Sequence, residues 1–148
     1  MQARPWLVAA AWMSIAASLL HIAVIFGGPD WYRFFGAGEG MARAAERGSS
    51  TPAIMTLGIA AILAGWALYA CAAIGVIRRL PLMRTALTAV AVVLLARGLL
   101  VFVPGVWAPE QSMAFRIWSS AICLVMGACF AIGTWRAWPE LSLKRKSA

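Results

Sequence analysis

Two ionisable side chains interrupt the long apolar stretches of this chain, His21 and Arg97. Imidazole binds or carries a proton near neutral pH, and a guanidinium holds anions through paired hydrogen bonds. An ionisable residue inside such an apolar segment suggests a functional site. The alternatives are structural: His21 bonds to Ser18 or a neighbouring helix, and Arg97 extends to the surface or pairs with Asp30 or Glu110.

Ser18 shares a predicted helix face with His21, and Ser120 shares one with Arg116. We expect His21, Arg97, Ser18 and Ser120 to line a small cavity that opens on the outer side. The aromatic segment 31–35 would roof it. Its ligand would be small and amphipathic, a lipid head group or a quinone. The candidate ligand-binding residues are therefore His21, Arg97, Ser18, Ser120, Arg116, Asp30 and Trp31.

Several kinds of chemistry lack the residues that they need. One histidine cannot supply two axial haem ligands or a metal site, and no cofactor is expected. No Asp or Glu lies inside an apolar stretch, although proton-coupled carriers usually need an embedded carboxylate. The three cysteines form no Cys-x-x-Cys pair. Catalysis is thus not indicated, and no catalytic residue is assigned.

Composition places most of the chain in lipid. Hydrophobic residues make up 63% and charged residues 12% of the 148 residues, whereas soluble domains are about half apolar and about a quarter charged. The net charge of +8 lies in short clusters between apolar stretches. That pattern is typical of membrane topology signals and not of a nucleic-acid-binding patch, so we expect no nucleic-acid partner.

Four apolar stretches are long enough to cross a bilayer as helices. They cover residues 6–26, 52–76, 82–103 and 115–135. We therefore predict a single all-α domain, a four-helix transmembrane bundle, with an outer loop at 27–51 and a basic tail at 136–148. A cleaved signal peptide is the alternative interpretation of the first stretch.

The basic residues predict which side each end occupies. Eight of them lie at the N-terminus, between the second and third stretches, and in the tail, against four on the other side. The positive-inside rule then puts both chain ends in the cytoplasm, with Lys144, Arg145 and Lys146 in the tail. Trp107 and Trp118 fall near the outer interface, where indole is favoured.

The outer loop has its own pattern. Gly27-Gly28-Pro29-Asp30 predicts a turn, and a short helix is expected from Gly38 to Arg47, with Glu39 and Arg43 four residues apart. We expect this loop to lie against the membrane surface. The alternative is a solvated connector.

Small residues form a seam along the second stretch: Gly58, Ala61, Gly65, Ala72 and Gly75. Such residues let helices approach closely in lipid. The favoured function is a non-catalytic accessory or self-associating bundle, with another membrane protein or a second copy as partner and the bilayer as solvent. The alternative is a bundle that binds a ligand, or acts as an enzyme, through the pocket around His21 and Arg97 described above.

The placement of His21 before Gly27-Gly28, and of Arg97-Gly98 near the outer end of the third stretch, resembles small uncharacterised four-helix bacterial integral membrane proteins. That resemblance implies the fold and no activity. Arginine outnumbers lysine and alanine is abundant, which favours a bacterial inner membrane.

Overall fold

The computed structural model describes residues 3–107, 109 and 111–142, and every regular element in that part of the chain is helical. Glu110, Lys144, Arg145 and Lys146 lie outside the described residues. A 3-10 turn at Leu100–Phe102 precedes the last helix. The five α-helices are α1 (Arg4–Phe34), α2 (Glu39–Glu46), α3 (Thr51–Ala73), α4 (Met83–Leu99) and α5 (Met113–Ser142).

Four helices are long and apolar enough to cross a membrane, which confirms that part of the prediction. They are α1, α3, α5, and α4 together with its 3-10 turn, with mean hydropathy between 1.8 and 2.2. Many of their large apolar side chains face outward, such as Trp12, Ile54 and Val92. Such a surface is stable in hydrocarbon and costly in water. The chain is therefore an integral membrane protein by length and composition.

The helices pack as two close pairs, α1 with α3 and α4 with α5. Contacts between α1 and α5 join the two pairs, whereas the described residues of α1 and α4 do not contact each other. The buried apolar core includes Leu63, Leu87, Leu94, Met126 and Phe130. The two helices that carry His21 and Arg97 are therefore separate elements within the assembly.

The first helix continues to Phe34, past the predicted end at residue 26. Gly28 interrupts it with φ 69° and ψ −154°, a backbone conformation that glycine adopts without a Cβ clash. Pro29 then begins a new helical segment, where its missing N–H costs nothing. The predicted turn is therefore a bend of one residue, and much of the predicted outer loop is helical.

Helix α2 is the short helix that the sequence predicted between Gly38 and Arg47. Among the five α-helices of the described chain, it is the one too short to cross a membrane. One side chain of it, Ala42, is fully buried against Val24 and Tyr32 of α1. This contact seats α2 on the outer end of α1, so the loop folds onto the helices below it.

The last helix also exceeds its predicted bounds of 115–135 and includes the first residues of the predicted tail. Arg79 of the α3–α4 connection and Arg84 of the first turn of α4 bond to carbonyls in the last described turns of this helix. Arg84 Nη2 donates to the Trp138 carbonyl at 2.7 Å, and Arg79 Nη2 donates to the Glu140 carbonyl at 2.8 Å. Basic side chains near a helix C-terminus satisfy carbonyl groups that lack a helical partner.

Candidate functional site

Arg97 lies in the last turn of α4, and its guanidinium is covered by an aromatic ring. The Arg97 Cζ atom lies 4.4 Å from the centroid of the Trp107 indole. Trp107 is fixed in turn, because its Nε1–H donates to the Leu100 carbonyl at 2.9 Å. A cation over an indole face is attracted by the ring quadrupole. The Arg97 side chain therefore packs against the connection between α4 and α5.

One nitrogen of this guanidinium is buried without a hydrogen bond. Arg97 Nη1 has no hydrogen-bond partner among the described residues. No ion pair in that part of the chain involves Arg97, and Asp30 pairs with Arg33 instead. A buried N–H that bonds to nothing carries a desolvation cost of about 1–3 kcal/mol. An acceptor oxygen placed there would remove that cost.

Ser120 lies where α4 and α5 come closest. A Cβ atom built on Gly98 would be 2.5 Å from Leu124 Cγ and 3.0 Å from the Ser120 carbonyl oxygen. Only a glycine permits this approach. Ser120 is 1% exposed, and its Oγ has no hydrogen-bond partner among the residues described. Two buried polar groups without partners, Arg97 Nη1 and Ser120 Oγ, therefore lie in the outer half of the α4–α5 pair.

The first turn of α5 is tied to the connection between α1 and α2. Phe115 packs edge to face on Trp107, with centroids 6.3 Å apart, and lies against the backbone of Gly36. Gln111 Nε2 donates to the Gly36 carbonyl at 3.0 Å, and Arg116 Nε donates to the Gln111 carbonyl at 3.1 Å. Arg116 thus bonds to the connection just before its own helix.

The α1 residues of the predicted site bond locally. Ser18 Oγ donates to the Ala60 carbonyl of α3 at 2.8 Å. His21 Nδ1 lies 2.8 Å from the Ala17 carbonyl, and because a carbonyl only accepts, that nitrogen carries a proton. The bond lies within α1 and involves neither Ser18 nor a neighbouring helix.

His21 and Arg97 do not share the depth that the sequence suggested. Gly133 of α5 packs on Leu7 of α1, and Gly98 of α4 packs on Leu124 of α5. Carrying these registers along the helices places the Arg97 Cα about 9 Å deeper than the His21 Cα, at about 1.5 Å per residue. Since α1 and α4 also lack contacts among the described residues, His21 is not a direct neighbour of the Arg97 backbone.

Asp30 and Trp31 belong to a separate outer cap, the segment from Pro29 to Arg47. The Asp30 side chain is 94% exposed and lies 3.4 Å from Arg33 Nη1. Trp31 is 42% exposed, packs on Gly27 and approaches the Phe35 ring at 5.7 Å. Neither of these contacts involves Arg97 or Ser120.

The outer cap is organised by an ionic cluster that sequence reasoning found only in part. Arg33 bonds to Glu39 at 2.9 Å and to Glu46 at 2.7 Å, in addition to Asp30. The predicted Glu39–Arg43 pair is present at 3.1 Å. Hydrogen bonds from Arg33 and Arg43 lower the pKa of Glu39 to about 2, and its carboxylate partners raise the pKa of Arg33.

The seam residues of α3 lie on its outward face. Gly58 and Gly65 have open space where a Cβ would stand, and Ala61 between them is exposed. The opposite face, which includes Ala60, Leu63 and Ala67, is buried against the rest of the chain. Two predicted members differ: Ala72 is 3% exposed, and Gly75 lies beyond the end of α3.

Two cavities of the described structure lie away from Arg97 and Ser120. One, of about 500 Å³, is an apolar groove between α4 and α5 that includes Thr88, Leu95, Thr134 and Trp138. A second opens at the other end of the helices from Arg97. Within the described part of the chain, no group of three His, Cys, Asp or Glu side chains could hold a metal ion.

Comparison with known proteins adds no assignment: no protein family, no curated protein and no solved structure matches this chain.

Proposed function

We propose that this chain is a non-catalytic membrane bundle that associates with a second copy of itself through α3. The observation that carries the proposal is the open space above Gly58 and Gly65 on the face of α3 that the rest of the chain leaves uncovered. Lipid supplies no hydrophobic drive between helices, so close backbone approach is the main source of helix–helix attraction. A helix face with small residues at its centre packs more closely against another helix than against flexible acyl chains.

The arrangement of these residues supports a parallel pair of α3 helices. Gly58, Ala61 and Gly65 lie within about 60° of each other around α3, and Ala61 and Gly65 form a small-xxx-small pattern. Exposed side chains provide ridges beside this shallow seam, Leu57 and Leu68 on one side and Met55 and Ile62 on the other. A two-fold axis along the membrane normal would bring the same face of both copies together.

The excess of basic residues supports a placement in the bacterial inner membrane with both chain ends in the cytoplasm. In that orientation the outer cap lies on the periplasmic side, with its ionic cluster in the head-group region. The basic cluster of Arg79 and Arg84 would then lie at the cytoplasmic surface. Cysteine labelling of whole cells at Gly48→Cys and Arg78→Cys would test this, since only the first should react from outside.

Substitutions that fill the seam test self-association. Ala61→Ile and Gly65→Ile should shift the chain from dimer to monomer in mild detergent and in lipid vesicles, because a branched side chain holds the backbones apart. The measurement is single-molecule photobleaching in vesicles, with light scattering in detergent. A wild-type chain that is monomeric in vesicles at high protein density would refute the proposal.

Ala89→Ile is the matched control. Ala89 is exposed on α4, opposite the buried face that contains Leu87 and Val90. The same change in volume there should leave the dimer intact. Equal loss of dimer in Ala61→Ile and Ala89→Ile would show that any bulky lipid-facing residue disturbs the protein, and the α3 seam would have no special role.

A second function is favoured by a separate observation, the unpartnered Arg97 Nη1 and Ser120 Oγ. Both are donors, so a small amphipathic ligand with a carbonyl or phosphate oxygen would satisfy them; a quinone or a lipid head group has this chemistry. Trp107 and Phe115 would provide apolar contact beside those donors. His21 would not belong to the core of such a site.

A ligand that stays bound through purification would distinguish this second function from self-association alone. Native mass spectrometry of the protein should show a bound quinone or phospholipid, and Arg97→Gln and Ser120→Ala should each reduce its occupancy several-fold. Ser119→Ala is the control, since Ser119 Oγ donates to the Arg116 carbonyl within α5. Unchanged occupancy in Arg97→Gln would exclude this site.

A further inference from the structure

The cavity at the N-terminal end of α1 lies between three helix ends. It is formed by the first turn of α1, the end of α3 and the last turns of α5, and it has a volume of about 440 Å³. Binding sites for small molecules typically have volumes of about 300–1,000 Å³. Its size therefore suits a small polar ligand or the head group of a larger amphiphile.

The floor of this cavity is apolar and tightly packed. Leu7 is 1% exposed, and its Cγ atom would be 2.7 Å from a Cβ built on Gly133. This contact between α1 and α5 closes the cavity toward the middle of the helices. Ala73 and Ala137 provide small apolar walls on the other two sides. A ligand must therefore enter from the end of the helices, or from the lipid beside it.

The mouth of the cavity is basic. Arg4 and Arg136 line it together with Glu140. A third guanidinium reaches the rim, because Arg79 Nη2 donates to the Glu140 backbone carbonyl at 2.8 Å. Three guanidinium groups against one carboxylate leave a net positive site. Arginines hold phosphate oxygens through paired, charge-assisted hydrogen bonds, which favours an anionic ligand.

The position of the cavity matches the membrane surface. Trp6 lies beside it, with Arg136 Cζ 5.9 Å from the Trp6 ring centroid, and indole rings prefer the head-group region. The apolar walls lie directly below the charged mouth, about one helical turn deeper from Arg4 to Leu7, or about 4.5 Å. A phospholipid presents the same sequence of groups, a phosphate above glycerol and acyl carbons.

We infer that this cavity binds the phosphate of an anionic amphiphile, with the head group of an anionic phospholipid as the ligand. The inference is independent of self-association through α3 and of the site near Arg97. Basic pockets between helices at the cytoplasmic surface recognise such head groups. With the orientation proposed above, the ligand would come from the cytoplasmic leaflet.

Lipid titration with native mass spectrometry tests this inference. The purified protein is titrated with phosphatidylglycerol or phosphatidylcholine, and occupancy is measured for wild type, Arg4→Gln and Arg136→Gln. We expect phosphatidylglycerol to be preferred and each substitution to weaken it about fivefold, in line with the loss of one basic residue near a head group. Arg4→Lys should recover most of the loss, because it restores the positive charge at this position. Its binding would also show that the protein folds with a substituted residue 4.

Two controls separate the cavity from general surface charge. Arg78→Gln removes the same charge at the same end of the helices from an exposed residue outside the cavity, and it should leave occupancy unchanged. Ala73→Leu keeps every charge but fills one wall, and it should reduce occupancy as much as Arg4→Gln. Equal effects of Arg4→Gln and Arg78→Gln, or equal binding of the two lipids, would overturn the inference.

Competition with inorganic phosphate distinguishes the two possible sources of the bound phosphate, a phospholipid and a soluble phosphate ester. Added phosphate at millimolar concentration should not displace phosphatidylglycerol if the apolar walls hold the lipid. Displacement that depends on Arg4 and Arg136 would assign the cavity to a soluble phosphate ester and overturn the assignment to a lipid. In Arg97→Gln, binding of phosphatidylglycerol at this cavity should equal that of wild type.

Discussion

The Arg97 guanidinium lies over the face of the Trp107 indole, with its Cζ atom 4.4 Å from the ring centroid. This contact joins the last turn of α4 to the connection before α5. It covers a charge that would otherwise face hydrocarbon, and Trp107 is itself anchored to the Leu100 carbonyl. A cation–π contact that is shielded from water is worth about 0.5–2 kcal/mol. The aromatic ring therefore offsets part of the cost of placing arginine within a span.

A double-mutant cycle on Arg97 and Trp107 should measure this contact. Arg97→Met and Trp107→Leu should each destabilise the protein, and their combined effect should be smaller than the sum by about 0.5–2 kcal/mol. The measurement is the free energy of unfolding in mixed micelles. Trp118 is 70% exposed and provides the control pair with Arg97, for which we expect additive effects. Similar coupling energies for both pairs would contradict this account.

The span-length helices and α2 were predictable, whereas the contacts around Arg97 were not. Long apolar stretches reveal spans because lipid requires about 20 apolar residues, and the Glu39–Arg43 spacing indicated α2. Trp107 was predicted at the outer interface, but its contact with Arg97 depends on how the 3-10 turn directs the chain after α4. Periodicity within one helix carries no information about such a turn.

The ionic cluster of the outer cap also shows that the pattern within one helix does not predict contacts between helices. Glu39 and Arg43 are four residues apart, so their pairing follows from helix geometry alone. Glu46 lies thirteen residues from Arg33, and the two meet only because the chain turns between α1 and α2, where Gly36 and Gly38 have φ of 72° and 96°. The separation of His21 from Arg97 likewise follows from helix packing and register, which a list of apolar stretches does not contain.

Gly98 should be intolerant of even one added methyl group. In Gly98→Ala the new Cβ would lie 2.5 Å from Leu124 Cγ, so α4 and α5 would have to separate or Leu124 would have to move. Overpacking of this kind costs about 1–3 kcal/mol. Thermal unfolding in detergent should show the loss, and Leu124→Ala should restore part of it in the double variant.

The control for this substitution is Gly40→Ala in α2, where a Cβ meets nothing within 4 Å of the chain. Alanine favours helix over glycine, so this variant should be as stable as wild type or slightly more so. A Gly98→Ala protein with wild-type stability would mean that α4 and α5 are less closely packed than the structure shows.

Acid should loosen the outer cap through Glu39. The pKa of this carboxyl is lowered to about 2 by hydrogen bonds from Arg33 and Arg43, against an ordinary value of about 4.5. A carboxyl whose folded pKa is depressed contributes its stabilisation above the ordinary value and loses it as the pH falls through the folded one. Segment 38–47 should therefore exchange amide hydrogens faster, relative to its intrinsic rate, as pH falls from about 4.5 to 2.

Glu39→Gln should remove most of this pH dependence and leave the segment looser at neutral pH, because a neutral amide cannot replace the ion pairs. Asp30→Asn is the matched control, since the Asp30 side chain is 94% exposed and has a single, longer contact of 3.4 Å with Arg33. That variant should keep the acid response of wild type. Hydrogen exchange measured by mass spectrometry on the peptide over 38–47 gives the comparison directly. An acid response that persists in Glu39→Gln would move its origin to Glu46, the other carboxylate that bonds to Arg33.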